Sequence, residues 1–467
     1  MSNVIKPWPR VFEGQSFAVL GLGQNGLPAA VTLRTMGAAV VAWDDDAARR
    51  DAAHAAGVPL ARPSEVDQLD ALILSPGIPH DRPAPHPEAA AMRARGVAIL
   101  SDAELLFRAV RAAGSAARFA GITGTNGKST TTALLAHIFA TSGVPVAAGG
   151  NLGPASLALP LLPDDGIYVL EMSSYMLERI ATMRFDAAIM LNLTHDHLDR
   201  HGSMAGYVAA KAAIFARQTD TDTAVIGIDD EPSRVLAGDI ATHAARLIRI
   251  SGGHRADFFA DRRILQDEFG PIADLSTAPA LRGTHNAQNA AAAAAVALAL
   301  GIERGRIAPA LASFAGLPHR QQRIATIDGV DFIDDSKATN ADAAARALDS
   351  FERVVWIAGG IGKDGGIAGL APWFDRIDHA VLIGRDAAMF AQTLAAHGVA
   401  HEIAGTLDRA VPLAFDRARR HGIDTVLLSP AAASFDQFAN YAERGLQFAA
   451  LARSIPARSI SLPAACS

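Results

Sequence analysis

Short apolar runs alternate with amphipathic or alanine-rich stretches along most of the chain, the pattern of buried strands with helices packed over them. At the front, Phe17-Ala-Val-Leu20 leads into Gly21-Leu-Gly23-Gln24-Asn25-Gly26, and a helical stretch follows to Met36. A second strand, Ala39–Trp43, ends in Asp44-Asp45-Asp46. An alanine-rich helix over residues 47–56 and a strand Ala71–Leu74, ending in Ser75-Pro76-Gly77, continue the alternation. This predicts a small open sheet with a parallel core. Four prolines between Pro79 and Pro87 mark a loop, and beyond a helix over Asp102–Ala112 the pair Gly114-Ser115 marks a break.

A second segment opens with the strand Arg118–Ile122, with further strands at Gly166–Leu170 and Ala187–Leu191. Past residue 220 the pattern turns to short strands and turns, closing in an alanine-rich helix from Asn286 to Leu300. The third segment begins near Gly316-Leu-Pro318 and repeats strand–helix units, with strands at Val330–Ile333, Arg353–Ala358, Ala380–Ile383 and Thr425–Leu428. That is the signature of another doubly wound sheet. The expected class is α/β: a Rossmann-like N-terminal sheet, a central P-loop α/β region and a C-terminal doubly wound sheet.

Composition narrows the function. At roughly 150 residues per domain, 467 residues suggest about three domains. Lys plus Arg number 42 and Asp plus Glu 48, a net charge of −6, and aromatics are only 6%. A general nucleic-acid binder needs a basic footprint and stacking platforms, so that class is disfavoured. Any anionic ligand must be held by local devices. A single cysteine, Cys466, excludes an internal disulfide and cysteine-clustered metal sites. The longest apolar run, Ala287–Leu300, is interrupted by Gln288 and Asn289, and Met1–Phe12 lacks the apolar core of a signal peptide. A cytoplasmic protein with no membrane span is expected, and a monomer.

The richest motif is Gly121-Ile-Thr-Gly124-Thr125-Asn126-Gly127-Lys128-Ser129-Thr130, between a strand and a helix expected over Thr131–Ser142. Its glycines let backbone N–H groups turn inward around phosphate oxygens, and the helix N-terminus adds positive potential. Lys128 suits the β/γ-phosphates and the Ser129 hydroxyl suits Mg²⁺, which marks an ATP site. Five residues separate Gly121 from Gly127, one more than in the generic P-loop. Gly21-x-Gly23-x-x-Gly26 followed by Asp44 has dinucleotide-fingerprint spacing, which specifies a diphosphate at a helix N-terminus but not nicotinamide.

Asn192, Thr194, His195, Asp196, His197, Asp199 and His201 crowd the end of a strand, a density suited to metal or phosphate chemistry or to a solvated loop. Glu171 ends the preceding strand, either as a buried carboxylate or as a surface residue opening a helix. Ser203 looks like the N-cap of a helix running to Gln218. At about 100° per residue Lys211 falls about 20° from Met204, inside the apolar arc. Its head either snorkels outward or serves the site. In the third segment, Asp334-Asp335-Ser336-Lys337-Ala-Thr339-Asn340, Gly359-Gly360-Ile-Gly362-Lys363-Asp364 and Ser429-Pro430-Ala-Ala-Ala-Ser434 all follow strands, and so point to one crevice at the carboxyl edge of the sheet.

Together these motifs, with Ser75-Pro-Gly-Ile78, Gly150-Asn151-Leu-Gly153, Asp196-His-Leu-Asp-Arg200 and Gly316-Leu-Pro-His-Arg320, resemble the Mur ligase family, ATP-dependent amide-bond-forming enzymes of peptidoglycan precursor synthesis. The five-residue glycine spacing is the family's own. The resemblance implies three domains: residues 1–107 for the uridine nucleotide, 108–316 for ATP and 317–467 for an amino acid. It places Gly23, Gln24, Asn25, Asp44 and Gly77 around the diphosphate substrate, with Asn151 and His197 at its muramoyl-alanine end. It places Gly124–Thr130, Asn286, Asn289, Arg320, Asp335 and Lys337 around ATP, and Thr339, Lys363, Ser434 and Tyr441 around glutamate, where the family more often has Phe at the position of Tyr441. Lys128, Lys211, His197 and Glu171 become the catalytic set, and Ser129, Glu171, His197 and Lys211 the shell of one or two Mg²⁺. The family's matching lysine is carbamylated by CO₂. An ammonium about 5 Å from Mg²⁺ is repelled by roughly 7 kcal/mol at a dielectric near 20, whereas a carbamate supplies an oxygen ligand. The implied substrates are UDP-N-acetylmuramoyl-L-alanine and glutamate, D or L. The alternatives are a folylpolyglutamate synthetase-like ligase, an NAD-dependent oxidoreductase using the first glycine loop, and a non-catalytic nucleotide-binding module.

Overall fold

The computed structural model describes residues 7–151, 153–242, 245–363 and 365–456. Leu152, Asp364 and Cys466 lie outside the described residues. The chain packs into two compact units: one reaches to Ala278 and includes Thr284–Phe314, the other comprises Pro279–Gly283 and the chain from Ala315.

The first unit carries two sheets. One has β1 (Ser16–Leu20), β2 (Ala39–Trp43), β3 (Ala71–Leu74) and β4 (Ala98–Leu100), all parallel in the order β2-β1-β3-β4. The other comprises β5 (Arg118–Thr123), β6 (Val146–Gly150), β7 (Ile167–Glu171), β8 (Ala187–Met190), β9 (Thr223–Gly227), β10 (Arg246–Ser251), β11 (Phe258–Asp261), β12 (Ile264–Asp267) and β13 (Gly270–Asp274). Its order is β13-β12-β11-β10-β9-β8-β5-β7-β6, parallel except where β12 and β13 are added antiparallel. Strands β7, β8 and β9 are buried along their whole length, as a parallel sheet covered on both faces requires.

The turn at Gly114-Ser115 is present, yet packing continues across it. Leu105, Leu106 and Val110, on the helix Asp102–Ala112, share one apolar core with Phe119, Tyr168 and Phe185 of the second sheet. The buried Glu104 carboxylate accepts the backbone N–H groups of Ala181, Thr182 and Met183. These contacts explain why two sheets form one unit.

The helix Thr284–Ala299 is buried from Asn286 to Ala297 and packs on the helix Lys128–Thr141. Its run of alanines permits close approach of the two backbones at little cost in side-chain entropy.

The second unit carries β14 (Gln322–Ile327), β15 (Val330–Asp334), β16 (Val354–Gly359), β17 (Ile377–Ile383), β18 (His401–Gly405) and β19 (Thr425–Leu428), ordered β14-β15-β19-β16-β17-β18. Only β14 is antiparallel to its neighbour.

Two expectations shift. The P-loop helix starts at Lys128, three residues earlier than its apolar pattern suggests. The helix capped by Ser203, whose hydroxyl accepts from Gly206 N at 3.1 Å, ends at Ala212 and not at Gln218. Beyond it the bonds tighten to three-residue steps, from Ile214 N to Lys211 O and from Phe215 N to Ala212 O.

Candidate active site

Between β5 and the helix Lys128–Thr141 the chain turns through Gly124–Gly127. Gly127 has φ +83°, and a Cβ there would meet Asn289 Oδ1 at 2.4 Å, so backbone shape and neighbour both demand glycine. Asn289 Nδ2 in turn donates to Asn286 Oδ1 at 3.0 Å, so both asparagines of the alanine-rich helix stand beside the loop. Asn192 pins its crest: its Oδ1 accepts from Asn126 N at 2.8 Å and its Nδ2 donates to Asn126 O at 3.2 Å.

Two lysines occupy the carbonyl side of this loop. Lys128 Nζ donates to the carbonyls of Gly124 and Thr125, each at 2.8 Å. Lys211 Nζ donates to Gly124 O at 2.8 Å and to Thr123 Oγ1 at 3.2 Å. Lys211 is 2% exposed and does not snorkel. Burial, reinforced by the charge of Lys128, pushes its amine down to about 6, so near neutral pH it is a free base. Tyr207 covers it, with Nζ 4.9 Å from the ring centroid, and the Tyr207 hydroxyl lies 3.1 Å from Thr125 Oγ1.

Glu171 is the last residue of β7 and is 2% exposed, which removes the surface-glutamate reading. Its Oε1 accepts from Asn151 Nδ2 at 3.0 Å, while its Oε2 is buried without a hydrogen-bond partner. The orphan oxygen of Glu171 and the Ser129 hydroxyl at the helix start are hard oxygen donors of the kind Mg²⁺ takes; the Lys211 amine as it stands is not. Among the described residues no three His, Cys, Asp or Glu side chains gather into a protein-only metal cage, so such an ion would be held jointly with nucleotide phosphate.

The dense His/Asp stretch disperses when folded. His197, at φ +51°, places Nδ1 2.9 Å from the Tyr175 hydroxyl and Nε2 3.5 Å from Asp196. His201 turns inward to Ser174 and Glu178, and Arg200 to His80. His195 is exposed. Density along the chain was not convergence in space.

At the first glycine loop, a Cβ on Gly26 would fall 1.7 Å from Gly21 O, so the helix starts against the strand end only because that residue is glycine. Asp44 is buried, and its Oδ2 accepts from Leu22 N at 2.6 Å. Burial alone would raise its pKa, but the backbone N–H groups of Asp46 and Leu22, with Arg49, outweigh that and hold it low. Gln24 Nε2 and Asn25 Nδ2 donate to the carbonyls of Gly153 and Gly150, tying this loop to the second sheet. Gly21, Gly23, Ser75, Gly77 and Arg49 line a cavity of about 390 Å³ there. The space beside Gly77 is open. Arg49 is a site cation that the motifs did not reveal.

In the second unit the carboxyl ends of β15, β19 and β16 lie side by side, which brings the three polar segments together. Asp335 is buried, and burial pushes its carboxyl up to about 7 although Ser429 Oγ (2.7 Å) and Gln321 N (3.2 Å) donate to it. The charge of Arg320 acts on the same carboxyl. Lys337 Nζ donates to the Tyr441 hydroxyl at 3.3 Å and lies over its ring, so the tyrosine found where phenylalanine is expected gains a partner. Thr339 N donates to Lys337 O at 2.9 Å, Ser434 is buried and Lys363 is exposed. Sequence reasoning missed Arg444, whose buried guanidinium holds Ser336 and the Ala432 carbonyl; an arginine on the inner face of the helix Tyr441–Arg453 was the available signal.

The profile of the Mur ligase middle domain matches residues 122–297, and that of the Mur ligase glutamate ligase domain matches residues 319–432. A UDP-N-acetylmuramoylalanine–D-glutamate ligase of Paramagnetospirillum magneticum is 46% identical over 450 residues, covering 95% of this chain and 97% of its own. The chain belongs to the Mur ligase family. The ligase of the same name from Caulobacter vibrioides is 44% identical, with 96% and 98% covered. Among solved structures, the Mur ligase MurC (UDP-N-acetylmuramate-alanine ligase) of Thermotoga maritima superposes with a TM-score of 0.58 at 19% identity, covering 94% of this chain and 99% of its own. MurF of Acinetobacter baumannii gives 0.55 at 20% identity, covering 86% and 96%. These relatives do not favour the oxidoreductase, folylpolyglutamate-type or non-catalytic readings. No helix among the described residues is long and apolar enough to cross a membrane.

Proposed function

We propose that this Mur ligase joins D-glutamate to UDP-N-acetylmuramoyl-L-alanine, with conversion of ATP to ADP and phosphate, as a cytoplasmic monomer serving peptidoglycan synthesis. The observation that carries the reading is a buried lysine and an orphan carboxylate beside a P-loop, in a chain aligned over nearly its whole length with D-glutamate ligases. The three-way division of labour at 1–107, 108–316 and 317–467 is part of the proposal.

In this reading the alanyl carboxylate attacks the γ-phosphorus of ATP, ADP departs, and an acyl phosphate remains. The amine of glutamate then attacks the acyl carbon, loses a proton, and phosphate leaves the tetrahedral intermediate as the amide forms. Lys128, on the helix start, screens the repulsion between carboxylate and phosphate. Ser129, Glu171, His197 and a carbamate on Lys211 would hold one or two Mg²⁺, which supply charge neutralisation at the phosphates. A neutral Lys211 amine can form that carbamate: its nitrogen bonds to the carbon of CO₂ and a proton goes to solvent. Asn286 and Asn289 serve the nucleotide, as do Arg320, Asp335 and Lys337. Gly23, Gln24, Asn25, Asp44 and Gly77 serve the UDP moiety, and Asn151 and His197 serve the muramoyl-alanine. Thr339, Lys363, Ser434 and Tyr441 serve glutamate.

The test is phosphate release from ATP with UDP-N-acetylmuramoyl-L-alanine and, in parallel, D-glutamate, L-glutamate or meso-diaminopimelate. Release that needs both the UDP-sugar and D-glutamate is expected. Equal or better turnover with L-glutamate would move the assignment to the other enantiomer, and release without any amino acid would defeat the ligase reading.

A further inference from the structure

Arg179 follows the short helix Ser174–Leu177 and is only 2% exposed. Among the described residues no carboxylate lies within ion-pair distance of it. Its guanidinium donates instead to the carbonyls of Leu74 at 3.0 Å, Ser75 at 3.1 Å and Ile78 at 2.7 Å, and to His80 Nδ1 at 3.2 Å. All four acceptors belong to the chain leaving β3, on the other sheet of the same unit. Burial and the charges of Arg179 and Arg200 hold the His80 imidazole neutral, down to about 4, which leaves Nδ1 free to accept from both arginines.

A buried cation is costly; the charge of Glu178 acts on it from beyond ion-pair distance, and the carbonyl dipoles of one loop supply the direct hydrogen bonds. Charge and loop shape are therefore coupled. Ser75 to Ile78 is a closed turn, with Ile78 N donating to Ser75 O at 3.1 Å. The arginine grips both ends of that turn and leaves its tip, Pro76-Gly77, facing the 390 Å³ cavity beside the first glycine loop. Arg179 also lies eight residues beyond Glu171 on a continuous segment, so the grip links the turn to the chain that carries the orphan carboxylate.

We propose that Arg179 is a positioning residue for the UDP-sugar: it clamps the turn Ser75–Ile78 and so sets where Pro76 and Gly77 meet the substrate diphosphate. The inference rests on the proposed function for the identity of the ligand, and on hydrogen-bond geometry for the clamp.

Arg179→Lys keeps the charge but cannot span four acceptors, and Arg179→Met removes both. For Arg179→Lys the KM for the UDP-sugar should rise about tenfold, while kcat and the KM for ATP stay within about twofold. Hydrogen exchange should quicken at residues 75–80 and stay unchanged at residues 124–130. An unchanged UDP-sugar KM in the folded variant, or an equal rise for ATP, would overturn the assignment. So would failure of both variants to unfold cooperatively, since the residue would then serve stability alone. Should the unaltered protein not use the UDP-sugar, the proposed function falls, while exchange at residues 75–80 still decides whether the clamp exists.

Discussion

The first unit holds two glycine-rich strand-to-helix turns, and they are underpinned by opposite charges. Beneath the loop at Gly21–Gly26 lies a carboxylate, Asp44, which takes up the N–H of Leu22. Beneath the loop at Gly124–Gly127 lies a cation, Lys128, which takes up its carbonyls, with the neutral amine of Lys211 beside it. An anion that already occupies a loop amide leaves less positive potential for a ligand, whereas a cation bound to carbonyls adds to it. This contrast fits the proposed function, in which the second loop takes the triphosphate and the first a ligand of lower charge density. Similar glycine spacing hides this difference.

The comparison breaks most sharply at Lys128. Lys128→Ala should lower kcat by about a thousandfold, while calorimetric binding of the UDP-sugar stays intact; a parallel loss of UDP-sugar binding would show that the loops are not independent. Lys211→Met should cost about a hundredfold in kcat. It should also change the pH dependence of stability in CO₂-free buffer. The unfolded lysine titrates near 10.5 and the folded one near 6, so between these values the unfolded state binds more protons and stability rises with pH. Melting temperatures measured from pH 6 to 10 should lose that slope in the variant.

Glycine replacements sharpen the contrast at the next level. Gly127→Ala should raise the KM for ATP about tenfold and leave that for the UDP-sugar alone, and Gly26→Ala should do the reverse. The smallest effect belongs to Asp44→Asn, with the UDP-sugar KM up about fivefold, the equivalent of about 1 kcal/mol of hydrogen bonding. Because the folded Asp44 pKa is depressed, its contribution is present above the ordinary value near 3.8 and fades as pH falls through the folded value.

Much of this was legible in the sequence. Buried central strands such as β5, β7, β8 and β16 announce themselves as apolar runs; β9 to β13 were legible only as unplaced short strands, and β4, β6, β14 and β18, which the pattern misses, all lie at sheet edges. There one side is unpaired and partly wet, so β18 and β14 carry few buried residues and β6 is mostly alanine and glycine. Lys211 was readable because helical periodicity put a charge in an apolar arc. Arg179 was not, because most of what it holds is backbone carbonyl, which leaves no mark on residue type, and Arg444 left only its place on the inner face of a helix. In the His/Asp-rich stretch the sequence showed density but not direction: neighbours in the chain turn to different partners.

The helix Thr284–Ala299 carries one last implication. Eight of its twelve successive buried positions are alanine, which makes it a spacer whose thickness is set largely by methyl groups. Asn289 meets Gly127 at the depth which that thickness allows. Enlarging any alanine along it would lift the asparagine pair off the loop, so genetic variation in this plain stretch would surface as altered nucleotide affinity, remote from any residue that touches the nucleotide.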